Sequence, residues 1–493
     1  MKVRSGSYTA LVFGLVLNAL GHAQAPLSLD QEFSISHNAW YVSSLLQVEE
    51  GKVIACGKLR NEGEIVFKRM LRFNENGTVD PTFDTNGLGG GLVKRQGDLL
   101  YTGEQAVRRF HMDGRRDTSW IEMNTSPLFS SLQGGDYHVY PDGSILMSGA
   151  HSLYDTARGF VGIYNLIWFT NNGHLDTTKT HRYCNGVIYE IEQQPDGKFL
   201  CSGTCSTYEG QPVRRVFRVH ADGALDTSFD SEVVGGTVFT FLPLADGRFY
   251  TAGRISRANA LEDTMQVARF LPTGALDTTF NALNDFDLGD LPTTVGNPNG
   301  LAASISAWPG EQLLVTGFFQ VVNSQQRYGI CVLDSLGELS AAFHNAGVGP
   351  YTYQGFVYGG IEGAVLTPDN MLYVYGAYHG YTDGATNDPD QRFITRLYGP
   401  DLTTAVSDAT APVLATVRVA PNPTTGHFTL TLPADLGPVQ ARLLDASGRV
   451  VQHYTLHTGA EKQQLSTNAE SGTYLLLVEA RAGQRWQVRV VVE

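Results

Sequence analysis

The chain has 493 residues, of which only 17% are charged, while 54 are Gly, 24 Phe and 22 Tyr, and its formal net charge is −14. Glycine and aromatics in this proportion suit short strands and tight turns rather than helices, and the length leads one to expect two or three domains. The negative charge lies mostly between residues 26 and 414, which argues against nucleic acid or an anionic membrane as a partner.

The first predicted element is a secretory signal peptide over residues 1–25. Lys2 and Arg4 form its basic start, residues 9–20 its apolar stretch, and Ala23 and Ala25 a small-x-small cleavage site. The apolar stretch is shorter than the roughly 20 residues a helix needs to cross a bilayer. No other stretch is long enough, so the chain is expected not to span a membrane.

From residue 29 to 402 two patterns alternate. The first is a turn, a short apolar run and a closing Gly, as in Asp196-Gly197-Lys198-Phe199-Leu200-Cys201-Ser202-Gly203. Its turn falls at positions 51, 97, 143, 197, 247, 310 and 370, giving seven copies 46 to 63 residues apart. Asp-Gly supplies the positive φ that a tight turn needs. A continuous apolar run marks a strand buried on both faces, and the closing Gly marks a bulge or a close backbone approach. The second pattern is a strand, another Gly turn and Leu-Asp-x-x-Phe. Its best copies end at Asp80 and Phe83, Asp226 and Phe229, and Asp277 and Phe280. Weaker ones carry Asp117 with Trp120, Asp176 with Lys179 in the aromatic place, and Phe343 with Ser340 in the Asp place.

A period of this size accommodates four short strands plus loops, which is one blade of a β-propeller. The longer repeats are expected to place their excess in loops at 281–299 and 377–390. The region opens on Leu29-Asp30-Gln31-Glu32-Phe33, the tail half of a repeat, and ends at Asp401-Leu402 where another tail is due. The two halves predict one blade built from both termini, closing a ring of seven. The propeller domain is expected over 26–402, and on the blocks Asp196–Gly203 and Asp222–Phe229 its residues 29–402 resemble the delta-60 repeat family of bacterial β-propellers. That family brings no established enzymatic activity with it.

Residues 403–414 are small and polar, as a linker is. From 415 to 493, alternating runs such as His427-Phe428-Thr429-Leu430-Thr431-Leu432 predict about seven short strands in a small Ig-like β-sandwich. The segment resembles the C-terminal sorting domain of type IX secretion. The resemblance rests on Pro421, Asn422 and Pro423 with Gly426, on Gly448 and Arg449, and on Gly472 and Tyr474. It implies export to the periplasm, passage through an outer-membrane translocon that reads this domain, and release or attachment at the cell surface.

No catalytic motif is present: there is no G-x-S-x-G, H-E-x-x-H, P-loop or C-x-x-C. Gly87-Leu88-Gly89-Gly90-Gly91 lacks the last Gly of a dinucleotide loop. No metal site or cofactor is expected. The repeated Asp80, Asp117, Asp176, Asp226 and Asp277 fit turn caps better than calcium ligands. Asp176, Asp277 and Asp263 also begin a short Asp-Thr motif resembling a bacterial O-glycosylation signal. Five cysteines leave at least one thiol free. Cys184, Cys201 and Cys205 share one repeat and offer three pairings. Tyr351, Tyr353, Tyr358, Tyr375, Tyr378 and Tyr381 crowd the last repeat, as core packing or as a sugar-binding surface. Two functions stand side by side. One is a non-enzymatic surface module binding a glycan or a protein. The other is a polysaccharide hydrolase or lyase, which requires a pair of acids some 5 to 10 Å apart at the propeller mouth.

Overall fold

The computed structural model describes residues 25–35, 38–48, 51–60, 66–103, 105–121, 129–291, 300–400, 418–432, 439–445, 450–456, 462–469, 471–480 and 485–492. Ala23 and most of the signal peptide, the 403–414 linker, and Gly448 and Arg449 lie outside these residues. The chain divides into two compact units, Met1–Ala405 and Val406–Glu493. Both are built of strands, with no helix among the described residues.

In the first unit each apolar run forms the middle strand of an antiparallel sheet, and the strand before it in sequence is the inner edge. The inner strands are Asn38–Gln47, Leu92–Gln96, Phe129–Val139, Ile188–Gln193, Val233–Pro243, Leu301–Trp308 and Gly360–Leu366. The middle strands are buried almost throughout: in Phe199–Gly203 every residue is. Apolar side chains therefore form cores between neighbouring sheets, not one central core. Phe110 packs with Met70 across the first two sheets, and Phe280 with Val315 across the fifth and sixth. Phe33 packs with Tyr373 between the first and last.

The expected fourth strand is reduced to a single bridge. Phe73 pairs with Val79, Val219 with Leu225 and Phe270 with Leu276, each just ahead of the repeated Asp. In the seventh sheet the corresponding partner comes from the other end of the chain: Leu29 bridges Leu397, and Asp30 donates its N–H to Arg396 at 3.0 Å. Residues 377–390, expected as a loop, are instead mostly strand. They extend the hairpin of Met371–Thr382 and Asn387–Tyr398. The usual alternation is hidden there by register shifts between Tyr375, His379 and Tyr381 and by Gly380 at φ +77°.

The closing glycines have a steric reason. A Cβ at Gly203 would lie 1.9 Å from the carbonyl oxygen of Val187, and one at Gly317 would lie 2.0 Å from that of Leu301. Each middle strand thus touches its inner neighbour through bare backbone.

Of the three pairings open to the cysteines of the fourth repeat, the fold makes Cys184–Cys205, with Cα atoms 5.9 Å apart. Cys201 is a buried free thiol, as are Cys56 and Cys331. The bridge closes a loop with a sequence separation of 21, worth about 3 kcal/mol by loop-closure entropy. Cys184→Ala/Cys205→Ala is expected to lower unfolding free energy by that amount in denaturant titration. A loss under about 1 kcal/mol would show that the bridge does not constrain the unfolded chain in this way.

The second unit stacks a three-stranded sheet (Arg418–Ala420, His427–Thr431, Lys462–Ser466) with a four-stranded one (Val439–Leu444, Val450–Thr455, Gly472–Ala480, Arg485–Val492). Phe428, Leu430, Leu443, Leu476 and Val490 fill the space between.

Candidate functional site

The inner strands are where this fold offers chemistry. Six of the seven carry a register shift partway along, among them Ile188/Glu190, Val238/Thr240 and Ile361/Gly363. Such bulges re-aim side chains. Residues from all seven sheets line a channel of about 460 Å³. Ser43, Thr240, Ala303 and Ser304 make its neutral wall, while Lys94, Asp136, Glu190, Glu192 and Glu362 carry its charge.

Four carboxyl groups thus face one ammonium. Lys94 Nζ lies 2.9 Å from Asp136 Oδ1 and also donates to the carbonyl of Tyr137. Burial opposes the charge on Lys94, but Asp136, with Glu190 and Glu192 nearby, outweighs burial and holds the ammonium above its ordinary range. The glutamates respond the other way. Burial, then the charge of Asp136, pushes Glu190 well above the usual carboxylate range in spite of Lys94. Burial raises Glu192 as well. Glu362, on the seventh sheet, is pushed up to about 7 by burial alone. Glu190 and Glu192 are two residues apart on one strand, which places their Cα atoms about 7 Å apart on the same face.

None of these five charged residues belongs to a repeated motif, so none stands out in the sequence as a site residue. A signal was present: Asp136, Glu190 and Glu362 stand seven or eight residues before the first-turn position, where other repeats have Ser43, Thr240 or Ala303.

The five repeated aspartates lie away from the channel, at the outer edge of each sheet. Asp80, Asp117, Asp176, Asp226 and Asp277 each accept the N–H of the residue two ahead, at 2.9 to 3.1 Å. Four also grip an arginine eight residues upstream: Arg72–Asp80 at 2.9 Å, Arg109–Asp117 at 2.7 Å, Arg218–Asp226 at 2.9 Å and Arg269–Asp277 at 2.6 Å. Each of these arginines also donates to a carbonyl in the next sheet's turn, respectively Met112, Asn171, Pro272 and Ser335. Each lies over the aromatic ring of its own motif, as Arg218 does over Phe229 at 4.7 Å. At Asp176 the arginine place is taken by Trp168. In the sixth repeat the fully buried Arg327 reaches the carbonyl of Ser340 instead. Among the described residues no group of three or more His, Cys, Asp or Glu is arranged to hold a metal.

Of the tyrosines, Tyr351 stacks on His379 at 4.5 Å and Tyr353 on Trp40 at 5.1 Å. Tyr358 lies against Tyr351, and buried Tyr378 donates to the Thr395 hydroxyl at 3.0 Å. Tyr375 lines the channel and Tyr381 a separate groove.

In the second unit, Asn422 and Thr424 hold the last strand. Asn422 Oδ1 accepts the N–H of Val491, and the N–H of Thr424 donates to the Val491 carbonyl, both at 2.8 Å. Pro421 and Pro423 follow cis peptide bonds. Gly426 has φ +103°, and its carbonyl accepts from Thr467. Gly472 pairs with Val492, and Tyr474 packs on the core. One turn thus ties the chain's penultimate residues to the start of the domain.

A ring of repeated sheets joined to a small two-sheet tail defines a β-propeller carrying a sorting domain, directed by type IX secretion to the cell surface or beyond. More particularly, residues 418–493 match the secretion system C-terminal sorting domain, and residues 51–83 and 194–229 match the DUF5122 β-propeller, a domain of unknown function. No curated protein matches the chain. Among solved structures it is similar to PorZ, an essential surface component of the type-IX secretion system of Porphyromonas gingivalis, at 9% identity and a TM-score of 0.26 over 92% of this chain and 81% of that one. It is also similar to a protein of Bacteroides fragilis described as exported, at 9% identity and a TM-score of 0.32 over 64% and 90%.

Proposed function

We propose that the propeller is a non-catalytic surface module whose channel receives a cationic group of a protein partner, of the lysine or arginine side-chain type. The observation that carries this reading is the excess of carboxyls: Asp136, Glu190, Glu192 and Glu362 against Lys94 alone. A guest cation would relieve the repulsion from Asp136 that, with burial, raises Glu190 and Glu192. Polysaccharide cleavage needs one carboxyl protonated and a second one ionised and free. Here the three glutamates are all pushed up, and Asp136 is tied to Lys94.

Spermidine is a suitable probe. Because a bound cation favours the ionised carboxylate, affinity should rise with pH. For a group near 7, it should be about thirtyfold tighter at pH 8 than at pH 5.5. Calorimetry on the full chain should show this rise, and Glu362→Gln should flatten it. Binding that ignores pH, or that survives Glu190→Gln/Glu362→Gln unchanged, removes the reading. Release of reducing ends from a polysaccharide panel would favour the hydrolase instead.

A further inference from the structure

The third sheet presents a bare edge. Its outer strand, Phe160–Phe169, pairs on one side with Ile145–Asp155. From Asn165 onward its other side is covered: Asn165 and Leu166 donate to the Arg182 carbonyl, and Phe169 bridges Leu175. Among the described residues, no backbone hydrogen bond leaves residues 160–164 on that side. Such an edge is a template for another strand, and folded proteins block it with charges or proline. The outer strands of the fifth and seventh hairpins are so protected, carrying Glu262 and Asp263 in one and Asp388, Pro389 and Asp390 in the other. Phe160-Val161-Gly162-Ile163-Tyr164 has neither device. Val161, Ile163 and Tyr154, which pairs with Val161 across the hairpin, are 54%, 52% and 59% exposed on one face. The opposite face is anchored, with Leu153 buried and Phe160 against His181 at 4.8 Å.

We propose that this edge pairs with the same edge of a second copy of the chain, antiparallel about a two-fold axis at Gly162. The residue order selects that occupant. By residue type the segment reads alike in both directions from Gly162: β-branched Val161 and Ile163 flank it, and aromatic Phe160 and Tyr164 flank those. The two-fold sets Val161 opposite the second copy's Ile163, and Phe160 opposite its Tyr164. These are the branched and aromatic cross-strand pairs that stabilise sheets. At Gly162 itself a side chain would meet nothing within 4 Å, so the axis lies in open space. Charge agrees. A chain of net charge −14 repels its copy over most of its surface, but Phe160–Phe169 holds no charged residue. The hairpin's own charges, Asp155 and Arg158, pair with each other. A two-fold contact uses the edge of both copies, so association stops at a dimer. Five paired residues a side cover less than the roughly 1,200 Å² at which stable interfaces begin, so the dimer is weak and depends on concentration.

The test is sedimentation velocity on the full exported chain from about 1 to about 500 μM, the window of weak association. Wild type should pass from monomer to dimer and no further. Val161→Lys/Ile163→Lys sets lysine opposite lysine and should leave a monomer at every concentration. Val161→Lys/Ile163→Glu sets each new lysine opposite the second copy's new glutamate. It should restore the dimer, less so in about 0.5 M salt. Both positions are exposed, so both variants should melt within a few degrees of wild type, which separates lost pairing from lost folding. The proposal is overturned if wild type stays monomeric throughout, or if the double-lysine variant dimerises as wild type does. Assemblies larger than a dimer would show that the contact is not two-fold and overturn it too. A Lys/Glu variant that melts like wild type yet stays monomeric removes the axis at Gly162. Capture of an added extended Val-Thr peptide by a chain that never dimerises would assign the edge to a foreign strand instead.

Discussion

Arg396→Ala is expected to destabilise the propeller by about 3–5 kcal/mol, the cost of leaving one member of a buried ion pair alone. Arg396 bonds Asp30 through Nε and through its second terminal nitrogen, both at 2.7 Å, donates to the Glu75 carbonyl at 2.7 Å and lies over Phe33. It thus joins the N-terminal segment, the last sheet and the first sheet. The side chains of Arg396 and Asp30 are only 8% and 3% exposed. The four other such pairs join sheets that the chain already connects, whereas this one closes the ring. Hydrogen exchange should therefore accelerate over residues 27–33 and 392–398 before it does elsewhere. Asp30→Asn keeps the volume and should still lose most of the same stability. Arg115→Ala, which breaks the exposed 2.6 Å pair with Asp113, should change stability by less than about 1 kcal/mol. Equal effects from Arg396→Ala and Arg115→Ala in urea titrations would show that the closing pair contributes nothing special.

That pair also marks the boundary of what the sequence reveals. Asp80 and Arg72 are eight residues apart, a spacing that recurs at Asp117, Asp226 and Asp277, so their meeting across one hairpin is readable from the repeat. Asp30 and Arg396 meet only because the ring brings the ends together, and no local spacing announces it. The half-motif Leu29 to Phe33 pointed to the closure, but not to the bond that holds it. The turn glycines and apolar runs were legible because the same steric demand recurs in every repeat. The channel was not legible for the opposite reason. A central channel needs no repeated residue, so Glu190 and Glu362 appear once each, where other repeats have small neutral side chains. Residues 377–390 misled because bulges at Tyr375 to Tyr381 break the period-2 pattern that identifies a strand.

The two kinds of acid in this protein give stability opposite slopes with pH, and Glu362→Gln separates them. Burial alone would raise Asp80, Asp117, Asp226 and Asp277. Hydrogen bonds from the hydroxyl and N–H two residues on, then from their cationic partners, outweigh burial and hold all four below the ordinary range. Their contribution is fully present above about pH 4 and is lost as pH falls below it. Glu362 is raised instead, from 4.5 to about 7. Between those values the folded chain holds a proton that the unfolded chain has released, so stability falls as pH rises through this window and levels off above 7. Gln cannot ionise and so mimics the protonated acid at every pH. Glu362→Gln should therefore match wild type near pH 4.5 and exceed it by up to about 3 kcal/mol at pH 8, where wild type bears the full cost of a buried carboxylate. Water entering the channel makes that figure a ceiling. Urea titrations of both proteins at pH 4.5, 6 and 8 decide the matter. Parallel curves across the three pH values would mean that Glu362 ionises in the channel as freely as in water, and the channel's pull on a cation would then have to come from Asp136, Glu190 and Glu192 without it.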